Sequence, residues 1–113
     1  MNKKLRETVY QKYDGHCAYC GQPIAYKDMQ IDHIFPQWRG GKNDIENLNP
    51  SCRMCNHYKS GNDLESFRKW SLGEIIDRLK KIYIFRLALK YGMIEIKEWD
   101  NKFYFEKHYG EEI

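Results

Sequence analysis

The sequence DHIFPQWRGGKNDIENLNPSCRMCNHYK, residues 32–59, contains in fixed order an Asp-His pair, two glycines, an Asn-Leu pair and a Cys-x-x-Cys-Asn segment. Asp32 and His33 place a carboxylate beside an imidazole, and Asn56 adds an amide next to Cys55. Carboxylate and amide oxygens are ligands for hard divalent cations, and histidine titrates near neutral pH. The stretch therefore combines groups suited to metal binding with a group suited to proton transfer.

Two cysteine pairs, one before this stretch and one within it, both have the spacing of a zinc knuckle. The first pair is Cys17 and Cys20, and the second is Cys52 and Cys55. Two intervening residues let both sulfurs of a pair face one ion, so two pairs predict a structural zinc held by four thiolates. Disulfides are rare in a cytosolic chain. Reduced core cysteines and a redox dithiol are the alternatives.

Length and composition predict one domain, residues 1–113, with a modest core. The first residues are polar and lack the apolar segment of a signal peptide, and no apolar run is long enough for a bilayer. We therefore expect a cytoplasmic protein with no membrane partner.

Residues 1–60 carry nine Lys or Arg against six Asp or Glu, whereas residues 61–113 carry ten of each. The excess of positive charge in residues 1–60 favours a polyanionic partner near the motif. Ordinary surface charge is the alternative interpretation.

Periodicity and turn residues predict the elements around the motif. Met29 to Ile34 alternates as a strand, which would place Asp32 and His33 on opposite faces. Cys52 to Lys59 reads as a helix with Ser51 as its N-cap. The remaining predicted elements of this half are a helix from Lys3 to Tyr13 with a stop at Gly15, a strand from Pro23 to Tyr26, a loop from Gln37 to Glu46, and a brief strand from Asn47 to Asn49 ended by Pro50.

In the second half of the chain, the sequence pattern predicts helices followed by a hairpin. Leu64 to Trp70 has helical spacing, and Ser71 with Glu74 forms a capping-box pattern for a longer helix that ends near Tyr91. Gly92 is a natural stop. Residues 94–106 alternate apolar and polar around Asp100 and Asn101, which predicts a small β-hairpin.

The complete order of motifs resembles the HNH endonucleases, the ββα-metal or His-Me finger nucleases, over about Cys17 to Lys59. Asn47 follows His33 by 14 residues and Asn56 follows Asn47 by 9, and both steps are similar to the family's. The resemblance implies an α+β fold with a ββα-metal core, about residues 14–62, on a four-cysteine zinc site. An N-terminal helix precedes the core, and an extension of helices plus the small hairpin, about residues 63–113, follows it.

The resemblance also implies a role for each polar residue of the motif. His33 corresponds to the general base, and Asp32 and Asn56 to the ligands of one catalytic divalent cation. Asn47 matches the residue that pins the loop behind the histidine. Lys59 is placed where an ammonium could approach the phosphate. The loop residues Trp38, Arg39 and Lys42 are candidates for DNA contact.

Asn56 stands where the family name has its last histidine, and Ser60 stands one turn later, where a second histidine ligand would lie. A site of oxygen ligands favours magnesium or manganese. The resemblance therefore implies a metal-dependent DNA endonuclease, nicking or cutting both strands and leaving 5′ phosphate and 3′ hydroxyl ends, without a small-molecule cofactor. A noncatalytic zinc-dependent DNA-binding or adaptor module and a toxin-type nuclease are the alternatives. A homodimer or a partner protein is left open.

Overall fold

The computed structural model describes residues 2–107. Helix α1, Lys3–Gln11, begins where the Asn2 side chain accepts a hydrogen bond of 2.7 Å from the backbone N–H of Leu5. The helix ends two residues before the predicted Tyr13, and Gly15 then takes a left-handed conformation with φ +79°. The predicted strand from Pro23 to Tyr26 is wrong, because this stretch makes only an isolated bridge from Pro23 to His16.

Two antiparallel strands form the sheet of the core. Strand β1, Gln30–His33, pairs with β2, Leu48–Ser51, in a register that sets His33 opposite Leu48. The prediction that Pro50 ends the second strand is wrong, because Pro50 lies inside β2 opposite Ile31. Its carbonyl accepts a hydrogen bond from the N–H of Ala18, so the side of Pro50 that lacks a donor faces away from β1.

Helix α2, Arg53–Lys59, follows β2 directly and completes the predicted ββα arrangement. Its N-cap is Cys52 and not the predicted Ser51, which belongs to β2. The Cys52 sulfur accepts from the N–H of Cys55 at 3.4 Å. Ser60 ends the helix with φ +52°. The second zinc knuckle therefore lies at the junction between strand and helix.

The helical part of the extension is more broken than its periodicity predicts. Helix α3, Leu64–Ser66, runs on into a wider π-helical turn at Phe67–Leu72. The predicted single helix to Tyr91 is instead α4, Ile75–Leu79, and α5, Tyr83–Lys90, because Ile82 is extended between them. The predicted capping box is also wrong, since Glu74 makes no capping hydrogen bond. Gly92 has φ +69° after α5, as expected of a helix stop.

The predicted C-terminal hairpin is wrong, because residues 94–106 contain no strand. Phe103 is 1% exposed and packs against the rings of Tyr19 and Phe67. Burial of this ring draws the segment onto the core. The N–H groups of Tyr104 and Phe105 donate to the carbonyls of Tyr19 and Ala18 at 3.1 and 2.9 Å. The segment therefore covers the first knuckle instead of pairing with itself.

The core joins the two halves of the described chain. Its buried apolar side chains come from α1, from the first knuckle, from the sheet and from the extension; they are Val9, Tyr13, Cys17, Ala18, Tyr19, Ile24, Met29, Leu48, Phe67 and Phe103. Within residues 2–107, no helix is both long and apolar enough to cross a bilayer. The knuckle and the sheet thus share one apolar centre.

Candidate active site

Four cysteine sulfurs come together as the spacing predicts. The Sγ atoms of Cys17, Cys20, Cys52 and Cys55 all lie within 4.8 Å of one another, and those of Cys20 and Cys52 are 3.9 Å apart. A tetrahedral zinc with Zn–S bonds of about 2.3 Å needs sulfurs about 3.8 Å apart. Gly21 turns the first knuckle with φ +79°. The donor set and its spacing fit a structural zinc.

The thiols of Cys17, Cys20 and Cys55 shift one another's pKa values through hydrogen bonds. Hydrogen bonds from Cys20 and Cys55 lower the pKa of Cys17, and the hydrogen bond to Cys17 raises the pKa of Cys20 to about 11. Hydrogen bonds to Cys17 and Cys20 also raise the pKa of Cys55. Because thiolates and not thiols bind zinc, a metal entering this cluster must displace protons.

Asp32 lies on the buried face of β1 and is 4% exposed. The Tyr19 hydroxyl donates to its Oδ2, and the Lys59 ammonium lies 3.1 Å from the same oxygen. Burial raises the pKa of Asp32, while the hydrogen bond from Tyr19 and the charge of Lys59 oppose that rise. The carboxylate is thus held between two donors from different elements.

His33 lies on the opposite face of β1, next to Asp32 in sequence, as the alternation predicts. Its Nε2 is 2.7 Å from the amide oxygen of Asn43. With the Asn43 oxygen as acceptor, this contact corresponds to the tautomer that has its proton on Nε2 and leaves Nδ1 unprotonated. Asn43 lies in the loop after β1, and nothing in its sequence spacing indicated a partnership with His33.

The Asn47 side chain closes the loop that follows β1. Its Oδ1 accepts from the N–H of Phe35 at 2.8 Å, and its Nδ2 donates to the carbonyls of Phe35 and Lys42 at 3.1 and 2.9 Å. Gly41 sits so close to this bend that a Cβ atom would come within 1.8 Å of the Phe35 carbonyl oxygen. Asn47 therefore ties both ends of the loop directly behind His33.

Helix α2 carries the two remaining polar residues of the motif. Asn56 is half-buried and follows Cys55 directly. Lys59 is fully buried, and its ammonium donates to the carbonyls of His33 and Asn62 at 2.9 and 2.8 Å besides contacting Asp32. The Lys59 ammonium is thus surrounded by oxygen atoms of the protein, and its approach to a phosphate stays a prediction.

The three loop residues predicted to contact DNA lie at the surface. Trp38 is 75% exposed, and its indole N–H donates to the Gly61 carbonyl at 2.7 Å. Arg39 pairs with Asp63 at 2.6 Å. Lys42 is exposed. An aromatic face and two cations are thus available near the loop of His33.

Sequence reasoning missed the polar residues that support the site. Tyr19 and Asn49 are buried beside Asp32, with Asn49 Nδ2 at 3.5 Å from the Tyr19 hydroxyl. Lys12, the C-cap of α1, donates to the side-chain oxygen of Asn49 at 3.1 Å and to the carbonyls of Ile45 and Leu48 at 2.8 Å each. These contacts span up to 37 residues of sequence, so local spacing contained no signal for them.

Comparison with known proteins identifies the same region. Residues 17–71 match the family model described as HNH endonuclease. The chain is 40% identical over 55 residues to a CRISPR-associated endonuclease Cas9 of Corynebacterium diphtheriae and 47% identical over 45 residues to that of Actinomyces naeslundii. These segments cover 48% and 39% of this chain but 5% and 4% of the relatives.

A solved structure has a similar fold. The crystal structure of the Type II-C Cas9 enzyme from Actinomyces naeslundii superposes with a TM-score of 0.53 at 30% identity, covering 68% of this chain and 10% of that one. The chain thus corresponds to a small part of these much longer proteins.

Proposed function

Residues 17–71 belong to the HNH endonuclease family, and from this premise we propose that the chain is a metal-dependent DNA endonuclease. The observation that carries the proposal is the arrangement at the end of β1. A buried carboxylate, Asp32, and a histidine, His33, leave the strand on opposite faces, and α2 starts at the cysteine cluster and contacts the same strand through Lys59. The relatives are themselves named endonucleases.

In the proposed reaction His33 takes the proton from the attacking water. The hydrogen bond to Asn43 holds the Nε2 proton, which leaves Nδ1 to accept the proton of water. Asn47 fixes the loop that follows the histidine, and thereby limits its movement. General-base catalysis of this kind contributes about 10²–10⁴ in rate.

A divalent cation is proposed at Asp32 and Asn56, whose oxygens suit magnesium or manganese. When bound, such an ion polarises the phosphate and stabilises the leaving 3′ oxygen. Two protein ligands, only one of them charged, hold a metal weakly, so DNA phosphate and water would complete its coordination. Zinc, in contrast, is proposed as the permanent occupant of the four-cysteine cluster.

DNA is the proposed substrate, with Trp38, Arg39 and Lys42 as proposed contacts to its backbone. The division into a core of about residues 14–62 and an extension of about 63–113 within one domain stays a prediction. The cytoplasmic location and any homodimer or partner protein also stay predictions.

Plasmid nicking tests the function. The zinc-loaded chain is incubated with supercoiled plasmid and Mg²⁺ or Mn²⁺, and His33→Ala with equal zinc content is run beside it. We expect nicking by the wild type, its loss with chelator, and a rate at least about 100-fold lower for His33→Ala.

DNA binding without cleavage would favour the noncatalytic module. Equal cleavage by both proteins would refute the role of His33. Growth arrest on expression, relieved by a tight acidic inhibitor, would favour the toxin-type nuclease.

A further inference from the structure

The Tyr19 hydroxyl makes a polar side-chain contact between the first zinc knuckle and the candidate active site. Tyr19 lies between the ligand positions Cys17 and Cys20 and is 4% exposed. Its hydroxyl donates to Oδ2 of Asp32, across 13 residues of sequence. A tyrosine hydroxyl in an apolar core needs a partner, and here the partner is the carboxylate that corresponds to a metal ligand.

The ring of Tyr19 is held by its aromatic neighbours. It packs edge-on against Phe67, Phe103 and Phe105, with ring centroids 5.6, 5.3 and 6.0 Å away. Its carbonyl accepts from the N–H of Tyr104 at 3.1 Å. The hydroxyl therefore has a fixed position, and the extension contributes to fixing it.

Asp32 receives its second donor from the element that contains the second cysteine pair. Lys59 lies at the end of α2, the helix that Cys52 caps and that contains Cys55, and its ammonium is 3.1 Å from Oδ2 of Asp32. Each cysteine pair thus belongs to an element that supplies one donor to the same carboxylate. A zinc ion that joins the two pairs would hold both donors at a fixed separation.

We propose that Tyr19 is a positioning residue for the metal-binding carboxylate Asp32, and that through Tyr19 and Lys59 the four-cysteine site determines the orientation of that carboxylate. This inference rests on the proposed function, because it concerns the carboxylate of the same site. A group that hydrogen-bonds a metal ligand changes metal affinity about 10–100-fold when it is removed. The hydroxyl would act by limiting rotation of Asp32, without touching the substrate itself.

Tyr19→Phe separates the hydroxyl from the ring, since the aromatic packing is kept. Mn²⁺ affinity is measured from the signal of free Mn²⁺ in electron paramagnetic resonance, in the His33→Ala background with a short DNA duplex, so that no cleavage occurs. We expect Tyr19→Phe to weaken Mn²⁺ binding at least about tenfold. Zinc content should stay close to that of the parent, and the thermal midpoint should fall by no more than the loss of one buried hydrogen bond implies.

Tyr10→Phe is the matched control. It removes a hydroxyl whose hydrogen bond, 2.7 Å long, goes to the carbonyl of Ile24 and not to Asp32. We expect this variant to leave Mn²⁺ affinity unchanged. In nicking assays with His33 present, Tyr19→Phe should raise the half-saturating Mn²⁺ concentration by a similar factor, while the rate at saturating Mn²⁺ falls by less than the affinity.

Each other outcome counts against the proposal. Unchanged Mn²⁺ affinity in Tyr19→Phe would overturn the positioning role and leave the proposed nuclease function intact. Loss of zinc from Tyr19→Phe would assign the hydroxyl to the stability of the knuckle and also overturn it. Absence of both nicking and Mn²⁺ binding in the wild-type chain would overturn the proposed function itself, and the role of Tyr19 with it.

Discussion

Residues 14–62 and residues 63–107 are held in place by different kinds of interaction. In the first region, four sulfurs within 4.8 Å and the fully buried ammonium of Lys59 fix strand, loop and helix at defined points. In the second, attachment to the core depends on the buried rings of Phe67 and Phe103 and on backbone hydrogen bonds from Tyr104 and Phe105 to the first knuckle. The ion pair between Arg68 and Glu106, 2.7 Å long, joins two parts of this second region to each other. Side-chain polar contacts therefore set the geometry of the first region, whereas aromatic packing and backbone hydrogen bonds hold the extension against it.

Lys59→Met, in the first region, is expected to have the largest effect on stability and nicking. The substitution leaves the carboxylate of Asp32 buried without its cation, and breaking a buried pair in this way costs about 3–5 kcal/mol. We expect a fall of that size in the free energy of unfolding, measured by urea denaturation of the zinc-loaded protein, together with loss of nicking.

Two further variants make the Lys59 prediction specific. Lys12→Met removes another half-buried ammonium that donates to neutral oxygens, so it should destabilise the protein less. Asp32→Asn combined with Lys59→Met removes both charges and should recover much of the stability but none of the nicking. If the double variant is no more stable than Lys59→Met, the buried pair is not the cause.

Asn47→Ala is expected to have the next largest effect, again within the first region. It removes three hydrogen bonds that close the loop behind His33, at a net cost of about 1–3 kcal/mol. Nicking should fall at least about tenfold at saturating Mn²⁺ because the histidine is less well placed, while zinc content stays the same. Unchanged nicking would show that the loop does not need this anchor.

A smaller, pH-dependent effect is expected from Glu106→Gln in the second region. Hydrogen bonds from Arg68 lower the pKa of Glu106, so the folded state favours its charged form. The stability that this ionisation contributes is fully present above the ordinary glutamate pKa of about 4.5 and is lost as the pH falls through the lowered value.

Thermal midpoints between pH 3 and pH 7 test this prediction. The thermal midpoint of the wild type should be higher than that of Glu106→Gln near neutral pH. This difference in midpoint should disappear in acid. Glu65→Gln is the control, because Glu65 also pairs with Arg68 but has a 75% exposed side chain, so its effect should be smaller. A gap that is constant across this pH range would contradict the linkage.

The smallest effect is expected at the contact between the two regions. Arg39 of the loop pairs with Asp63 at the surface, and exposed ion pairs contribute little to stability. Arg39→Gln should leave the thermal midpoint unchanged but weaken DNA binding and lower the slope of log affinity against log salt by about one. Arg78→Gln on α4 should leave binding and slope as they are. Equal effects of both variants would argue against a specific contact at Arg39.

How far the sequence predicted the structure differs between the same two regions. The cysteine cluster, β1 and α2 were predicted because ligand spacing, strand alternation and a short helix are local properties. The C-terminal hairpin was wrong because burial of Phe103 against Tyr19 and Phe67 outweighed the alternation of residues 94–106.

The same reason explains what was missed at the candidate site. Asp32, His33 and Asn47 stood out because their residue types and spacing were similar to those of a known family. Tyr19 and Asn43 did not, because their partners depend on how knuckle, loop and strand pack in three dimensions. The fully buried environment of Lys59 likewise follows from tertiary packing and not from its position on the helix.

The most direct test of the account is the nicking rate as a function of zinc occupancy. Zinc is removed from the full chain with a chelator and added back in steps, with Mn²⁺ and plasmid saturating, while zinc content and nicking are measured on the same samples. We predict that nicking is absent without zinc and rises in proportion to the fraction of chains that hold zinc. Full nicking by the zinc-free chain would contradict the claim that the four-cysteine site positions the nuclease residues.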